Sequence, residues 1–584
     1  MNYQPDTMKD ILIINLTRMG DLLQTTPLMA GLKNKYPGLK ITLLANAAFA
    51  EICRGIPLID DLILFDMKEY RSRLLNREYR IIDNYRFLEK MIDHINEKEY
   101  DLAMNVTHSP ASAVLTSLVR AGEVRGFTMD SEGHRIIKHP WMRYFFHVVH
   151  NRQYNPFHIV DMYMKFGEVA PQTRTLIYKI PAEDEEKALT LLKNKVSDTL
   201  LKRVGIHLGA SKNDKAWPVR SYASLADRIM SDCNAEIILF GSTAECALAE
   251  EFTQYLNKPP RNLVGKTGLS ELAALLKHCD LFITNDTGPL HIATTAGTQV
   301  LDISTANVHC FETGPYGEDH YVIQADLPCA PCGFDVECND RVCKSTVTPE
   351  SVFQVAKALL EGNVNEQKFT AAEWKDLQVY RSYFNDDGHL DFRPLIQQVL
   401  KKETLFRILY RQVWNMTSED SDYNSAYAFE RIFSEISLNH NLDEVYTLLP
   451  ALKIDAGILE HLVTLAGQGH EVVYGIHAEA SQVSPDYSLI TETWKSIKKI
   501  DRDIELIGHT NPSLKPLVLI FQFAREALEG NDLLSLSEKS AGNYRELVMR
   551  ASALLELVNK FIAKNEPEKD LHETENPAHA VQHI

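Results

Sequence analysis

The 584-residue chain lacks any apolar run long enough to cross a membrane. The run that opens at Ile11 is about six residues, against the ~20 that a spanning helix requires. Met1 to Asp10 is polar and carries no secretory signal, so the chain is expected in the cytoplasm. A cationic surplus is missing too. The 61 Lys and Arg face 79 Asp and Glu, for a net charge of -18. This argues against nucleic acid as a partner, because phosphate contacts need clustered cations. A purely electrostatic grip on anionic lipid is disfavoured for the same reason, so an anionic partner must meet a local basic patch. Neither G-x-G-x-x-G nor G-x-x-x-x-G-K-[ST] occurs, which argues against dehydrogenase and P-loop chemistry. Cysteine stops at Cys343, and Lys344 to Ile584 contain none. That shift in composition suggests a C-terminal domain of different origin. No internal repeat is visible.

What is present reads as an ordinary globular protein, 45% hydrophobic and 24% charged, long enough for several cores. Ile11 to Ile14 is apolar throughout, as a strand covered on both faces should be. A loop from Thr17 to Gly20 leads into a helical segment, Asp21 to Lys35, stopped at Tyr36-Pro37-Gly38. Ile41 to Ala45, Asp61 to Phe65 and Leu102 to Val106 read as further strands, with Met67 to Tyr100 carrying a charged helical excursion. The rhythm lapses around Ala170 to Asp184 and restarts at Val204 to His207. Strands then alternate with helices until a helix that opens after Thr348-Pro349, an N-cap followed by Pro at the first position. This is an α/β pattern of parallel sheets wrapped by helices. We expect an N-terminal unit at 8–175, a second at 185–362, a mainly α-helical domain at 371–563 and a disordered tail at 564–584.

Three segments carry chemistry. Arg18-Met19-Gly20-Asp21 follows the first strand, at the carboxyl edge where open α/β sheets bind ligands. Gly20 permits close approach to backbone, and Asp21 is either a reacting carboxylate or a plain helix cap. Thr284-Asn285-Asp286-Thr287-Gly288-Pro289-Leu290-His291 takes a strand through a polar turn into a helix. Free N–H groups of Thr287, Gly288 and Leu290, with the helix dipole behind them, would suit a diphosphate. Asp286 is alternatively a cap and His291 a core residue. His207 to Pro218 (HLGASKNDKAWP) offers two lysines to neutralise phosphate, or is a solvated loop.

The order and wording of these segments resemble glycosyltransferase family 9, the ADP-heptose:lipopolysaccharide heptosyltransferases. The anchors are Ile11–Pro27 (ILIINLTRMGDLLQTTP), His207–Pro218, Leu263–Leu276 (LVGKTGLSELAALL), Thr284–Gly297 (TNDTGPLHIATTAG) and Thr313–Gly317 (TGPYG). The resemblance spans roughly residues 11–360. It implies two Rossmann-like domains facing a cleft, the GT-B arrangement. The first would hold the acceptor and the second the nucleotide sugar. It further implies inverting transfer of a sugar, heptose by analogy, from an ADP-sugar to a lipopolysaccharide-core or related glycan acceptor, with no cofactor required for catalysis. Asp21 matches the family's general base and Lys215 its phosphate-binding lysine. Asp286, Thr287, Gly288 and His291 match its donor turn, with Ser211 and Glu245 near further donor positions. Arg18, Arg120 and Arg125 are candidates on the acceptor side. Ala210 stands where the family often has a hydroxyl, which puts one donor hydrogen bond and the identity of the sugar in doubt. A nucleotide-sugar epimerase or hydrolase on the same fold is the alternative, as is an interaction protein that works through its helical domain.

Two further clusters stand out. Cys329, Cys332, Cys338 and Cys343 have the ligand count of a structural zinc or iron site, although their outer spacings are short for common zinc modules. The alternative is a set of reduced thiols. Leu118 to Arg152 is locally basic, and Trp141-Met142-Arg143-Tyr144-Phe145-Phe146 is amphipathic. That stretch is suited to a membrane interface at the inner face of the cytoplasmic membrane or to an anionic glycolipid acceptor. It reads equally as a core helix with a basic rim.

Overall fold

Ile11, Leu12, Ile13 and Ile14 are fully buried because β1 (Asp10–Asn15) is an inner strand of a largely parallel sheet. Such a strand has no solvent face, so its residues need not alternate. The computed structural model describes residues 8–76, 80–148, 150–193, 201–334, 336–364, 369, 374–418, 425–528, 530 and 532–566. β1 pairs in parallel with β2 (Lys40–Asn46) on one side and β4 (Tyr100–Asn105) on the other. With β3 (Asp61–Phe65), β5 (Ala121–Met129) and β6 (Arg135–Lys138) they form a six-stranded sheet of order β3-β2-β1-β4-β5-β6. Only β6 runs antiparallel to its neighbour.

The second sheet has the order β14-β13-β12-β11-β10-β7-β8-β9. Its parallel part is β7 (Lys202–His207), β8 (Ala235–Phe240), β9 (Arg261–Asn262), β10 (Leu281–Thr284), β11 (Val300–Ser304) and β12 (Tyr321–Ala325). The doubly wound α/β architecture expected from the sequence is therefore present in both units.

The edge of this sheet departs from expectation. The segment from 371 onward reads as helical, yet β13 (Leu377–Phe384) and β14 (Leu390–Pro394) form a hairpin whose first strand pairs antiparallel with β12. The hairpin turn is Asn385-Asp386-Asp387-Gly388. Asn385 Oδ1 accepts the N–H groups of Asp387 and His389 at 3.1 and 3.0 Å. This is ordinary Asx-turn chemistry, masked in the sequence by the long Leu/Ile periodicity that follows. A boundary at 371 therefore cuts the second sheet away from its own edge strands, which shield β12.

Beyond the hairpin the chain is helical, as expected. The long helices Leu449–Ala480 and Leu533–Asn565 pack along their lengths, with Leu459, Leu462, Ala466 and Val473 buried on one and Leu547, Ala551, Leu554 and Val558 on the other. Lys564 and Asn565 belong to the second of these helices, while 567–584, where the tail was expected, lies outside the described residues.

The three parts are cross-braced. Arg152, in the first lobe, is buried in the second, where its Nε and Nη2 donate to Glu312 Oε2 at 2.9 and 2.6 Å. Its Nη1 donates to the carbonyls of Asn307 and Cys332 at 2.6 and 3.0 Å. His158 Nε2 meets the carbonyl oxygen of Gly314 at 3.0 Å, so the TGPYG segment joins the lobes. Asp161, on the helix Ile159–Phe166, accepts from Leu390 N–H at 3.0 Å and from the Tyr316 hydroxyl at 3.4 Å. It thereby ties together the first lobe, the second lobe and the hairpin.

Burial pushes the Asp161 carboxyl up to about 8, with the Leu390 N–H and the charge of Lys165 working against the rise. Its folded value lies above the unfolded one, so the folded chain holds a proton that the unfolded chain releases. Stability should fall as pH rises from 3.8 towards about 8. Asp161→Asn cannot ionise and is expected to flatten the melting temperature across that window and to melt above wild type near its upper end. An unchanged slope in a pH series of thermal melts would show that Asp161 is charged in the folded chain.

Candidate active site

β1 ends at Asn15 and the chain turns at once into the helix Met19–Gln24. Asn15 ties this turn: its side-chain amide donates to the Asp21 carbonyl at 3.2 Å, and its Oδ1 accepts from Thr17 N–H at 3.2 Å and from the Thr17 hydroxyl. Asp21 Oδ2 accepts the Arg18 N–H at 3.1 Å, so the carboxylate does cap its helix. Its Oδ1 accepts no hydrogen bond among the described residues. One carboxylate thus holds the turn through one oxygen and keeps the other uncommitted.

In the second lobe, Asn285 assembles the opposing wall. Its amide donates to the carbonyls of Leu208 and Gly209 at 3.2 and 2.9 Å, and its Oδ1 accepts from Trp217 N–H at 2.9 Å. This pins the 207–218 loop to the end of β10. Lys215, itself buried, then lies 3.1 Å from Asp286 Oδ2. Thr287 and Gly288 N–H donate to no protein acceptor among the described residues, and Pro289 has no N–H. The Leu290 N–H donates to Thr287 O at 3.1 Å, which corrects the expectation that it is free. Two backbone donors, not three, remain for an anion.

The two walls meet through glycine. A Cβ on Gly20 would lie 2.5 Å from His291 Cδ2, and one on Gly288 would lie 2.1 Å from Met19 Cε. The N-termini of the helices Met19–Gln24 and Gly288–Thr295 therefore abut because each offers a glycine to a side chain of the other, Gly20 to His291 and Gly288 to Met19. His291 is buried there, and burial lowers its pKa while the charges of Asp286 and Asp21 oppose the fall. Its ring sits in the field of both carboxylates and of Lys215, so residues 270 positions apart in the chain share one crevice. Among the described residues, both carboxamide atoms of the buried Gln24, the Tyr163 hydroxyl and His291 Nδ1 have no hydrogen-bond partner.

Other expected residues fare differently. Ser211 is exposed on the 207–218 loop and its side chain makes no hydrogen bond among the described residues. Glu245 is already engaged: its Oε1 is 3.0 Å from His207 Nε2, and its Oε2 accepts the Ser242 N–H and hydroxyl at 2.6 and 2.9 Å. Burial raises its carboxyl, but these partners outweigh it and bring the pKa down to about 2. Glu245 is thus a clasp between two loops. Arg18 is exposed beside Asp21. Arg120 precedes β5 at the amino edge of the sheet, opposite the crevice, where its N–H bonds Asn96. Arg125 is ion-paired with Glu123 at 2.5 Å and Glu168 at 3.4 Å, so neither arginine presents a free cation at the crevice.

The sulfur cluster is real as a neighbourhood. Burial raises the Cys332 thiol, and Cys329, Cys343 and Cys338 add to the rise. Yet among the described residues no three His, Cys, Asp or Glu side chains stand where they would hold a metal ion. The Trp141 to Phe146 aromatics are core, as the blander reading held. Trp141 and Tyr144 pack edge-on against Phe157 at 5.4 and 5.7 Å, and Phe145 stacks on His108 at 4.2 Å. Sequence reasoning passed over Asp302, buried in β11 with Ser304 Oγ donating to it at 2.7 Å. Burial and then the charge of Asp286 push it well above the usual carboxylate range. An acidic residue inside an apolar strand was the signal.

Residues 88–341 match the family model described as glycosyltransferase family 9 (heptosyltransferase). The lipopolysaccharide core heptosyltransferase OpsX of Haemophilus influenzae is 26% identical over 316 residues, 53% of this chain and 82% of that protein. The lipopolysaccharide heptosyltransferase 3 of Escherichia coli K12 is 28% identical over 305 residues, 50% of this chain and 81% of that protein. Among solved structures, the glycosyl transferase family 9 protein of Veillonella parvula is 20% identical, with a TM-score of 0.49 over 62% of this chain and all of that one. This chain carries a glycosyltransferase family 9 domain, and it is a glycosyltransferase.

Gly209 tests the clasp. A Cβ there would fall 1.6 Å from Glu245 Oε1. Gly209→Ala is expected to lower stability by about 1–3 kcal/mol, the usual cost of overpacking. Glu245→Ala in the same chain should recover part of that loss. Additive losses in a double-mutant cycle by urea unfolding would mean the two residues do not contend for one space.

Proposed function

We propose that this family 9 glycosyltransferase moves heptose from ADP-heptose onto a lipopolysaccharide-core acceptor with inversion, using Asp21 as the general base. The observation that carries the reading is the shared crevice, in which Asp21 from one lobe and the Lys215–Asp286 pair from the other both act on His291. The names of the relatives supply the sugar and the acceptor.

In this mechanism the uncommitted oxygen of Asp21 takes the proton of the acceptor hydroxyl as that oxygen bonds to the anomeric carbon. The bond from that carbon to the diphosphate breaks, and its electron pair leaves with ADP. Two N–H groups, Thr287 and Gly288, receive the diphosphate at the positive end of the helix dipole. Lys215 shares its charge between Asp286 and the departing phosphate, and Asp286 then has an oxygen for a sugar hydroxyl. Burial lowers the His291 pKa against the pull of Asp286 and Asp21, which favours its uncharged form beside the leaving group. Fixed donors aimed at the leaving group do the electrostatic work without a metal in the scheme.

Asp21→Asn keeps the shape and removes the base. Turnover with donor and acceptor should fall roughly 10²–10⁴-fold, while ADP binding, read by calorimetry, stays unchanged. Full turnover in that variant would remove Asp21 from the reaction.

We also propose that the acceptor lobe rests on an anionic membrane through a different patch from the 141–146 stretch. Leu74, Leu75, Ile81, Ile82 and Tyr85 are each more than half exposed, on the helices Met67–Leu75 and Ile81–Ile95. Arg71, Arg80 and Arg86 beside them are also exposed. Apolar side chains clustered with arginines on a strongly acidic protein suit the boundary of an anionic bilayer. Leu75→Glu with Ile81→Glu should abolish co-sedimentation with phosphatidylglycerol vesicles and leave ADP binding intact. Undiminished sedimentation would exclude this patch.

A further inference from the structure

Away from the crevice, a partly open and mainly apolar cavity, with two arginines and a glutamate set in its wall, lies where the first lobe meets the helical segment. The helix Pro140–Val148 contributes Trp141, Arg143 and Tyr144. The helices Lys402–Ser418 and Leu533–Asn565 contribute Trp414, Glu546 and Arg550. Its volume is about 30 Å³. At roughly 10–15 Å³ for each water-sized occupant, that is room for two or three such groups. A phosphoryl head fits a space of that size.

The charges in the cavity are unequal. Arg550 pairs with Glu546 at 3.1 Å and lies over the Trp414 ring at 5.2 Å. The Arg143 guanidinium donates to no acceptor among the described residues. Burial pulls the pKa of both arginines down and Glu546 opposes it, while on Arg550 the charge of Arg143 deepens the fall. A lysine so placed would shed its proton, but a guanidinium stays charged. Among the described residues the part-buried Arg143 and Arg550 share one carboxylate, Glu546, so a bound anion would balance the second positive charge.

We propose that this cavity binds a phosphoryl group, held by the guanidiniums of Arg143 and Arg550 and walled by Trp141, Tyr144 and Trp414. The planar forks of two arginines match a phosphate's oxygens in geometry as well as charge. Because Arg143 belongs to the first lobe and Arg550 to the helical segment, the ligand bridges them. The proposal does not depend on the transferase reading.

The full chain is melted with inorganic phosphate, with glycerol 3-phosphate, and with chloride at matched ionic strength. Phosphate should raise the melting temperature where chloride does not. A further rise with glycerol 3-phosphate identifies a phosphomonoester head as the ligand, and a rise with phosphate alone identifies the free ion. Arg143→Gln should weaken phosphate at least about tenfold, as for the loss of a charge-assisted hydrogen bond. Without phosphate it should melt no lower than wild type, because it removes one of two part-buried cations that share Glu546; a merely structural arginine would leave it less stable. Arg143→Lys, which keeps the charge without the fork, should bind phosphate at intermediate strength. Lys215→Met strips the cation from the crevice and should keep the response. The proposal is overturned if wild type shows no rise beyond chloride, or if the rise survives Arg143→Gln and vanishes in Lys215→Met.

Discussion

A guanidinium from one lobe buried against a carboxylate of the other, Arg152 on Glu312, is the contact on which the crevice depends. Neither group tolerates burial alone. Burial raises the Glu312 carboxyl even with Arg152 beside it, which measures how dry the joint is. The carbonyls of Asn307 and Cys332 accept from Nη1 of Arg152, and these bonds form only when the lobes are in this register. Sliding one sheet against the other would strand a charge on each side. The lobes are therefore held together by an electrostatic constraint, and Gly20 meets His291 between the same two lobes.

The hairpin and helical segment extend the same logic. A parallel sheet must end somewhere, and an open edge invites pairing with another chain. Here β13 covers the β12 edge, and β14 supplies the Leu390 N–H that reaches back to Asp161 in the first lobe. Arg411, buried in the helix Lys402–Ser418, bonds Asp391 of the hairpin and Glu435 of the next helix. The C-terminal part is thus wired into the catalytic body through buried charge, and its aromatic Trp414 packs on Tyr144 of the first lobe at 5.4 Å.

Within the crevice the polar groups are arranged at a cost. Gln24, Tyr163 and His291 bury hydrogen-bonding atoms with no partner among the described residues, and Lys215 spends its charge on Asp286. A folding optimum would satisfy or remove such groups.

Much of this was legible in one dimension. An unbroken apolar tetrad, Ile11 to Ile14, allows only a strand with both faces covered. The polar turns that follow β1 and β10 could fall only at carboxyl edges, where the backbone leaves donors free. Local chemistry dictates such things because it acts between neighbours in the chain. The NDDG turn was equally readable but was hidden by the helical periodicity around it. What no neighbour relation encodes is which distant charges are buried together. That Arg125 is spent on Glu123 and Glu168, that Leu290 N–H closes its own turn and that Glu245 clasps His207 were decided only when packing brought those groups out of water. A group's role depends on the partner that burial assigns it, and burial belongs to the tertiary structure.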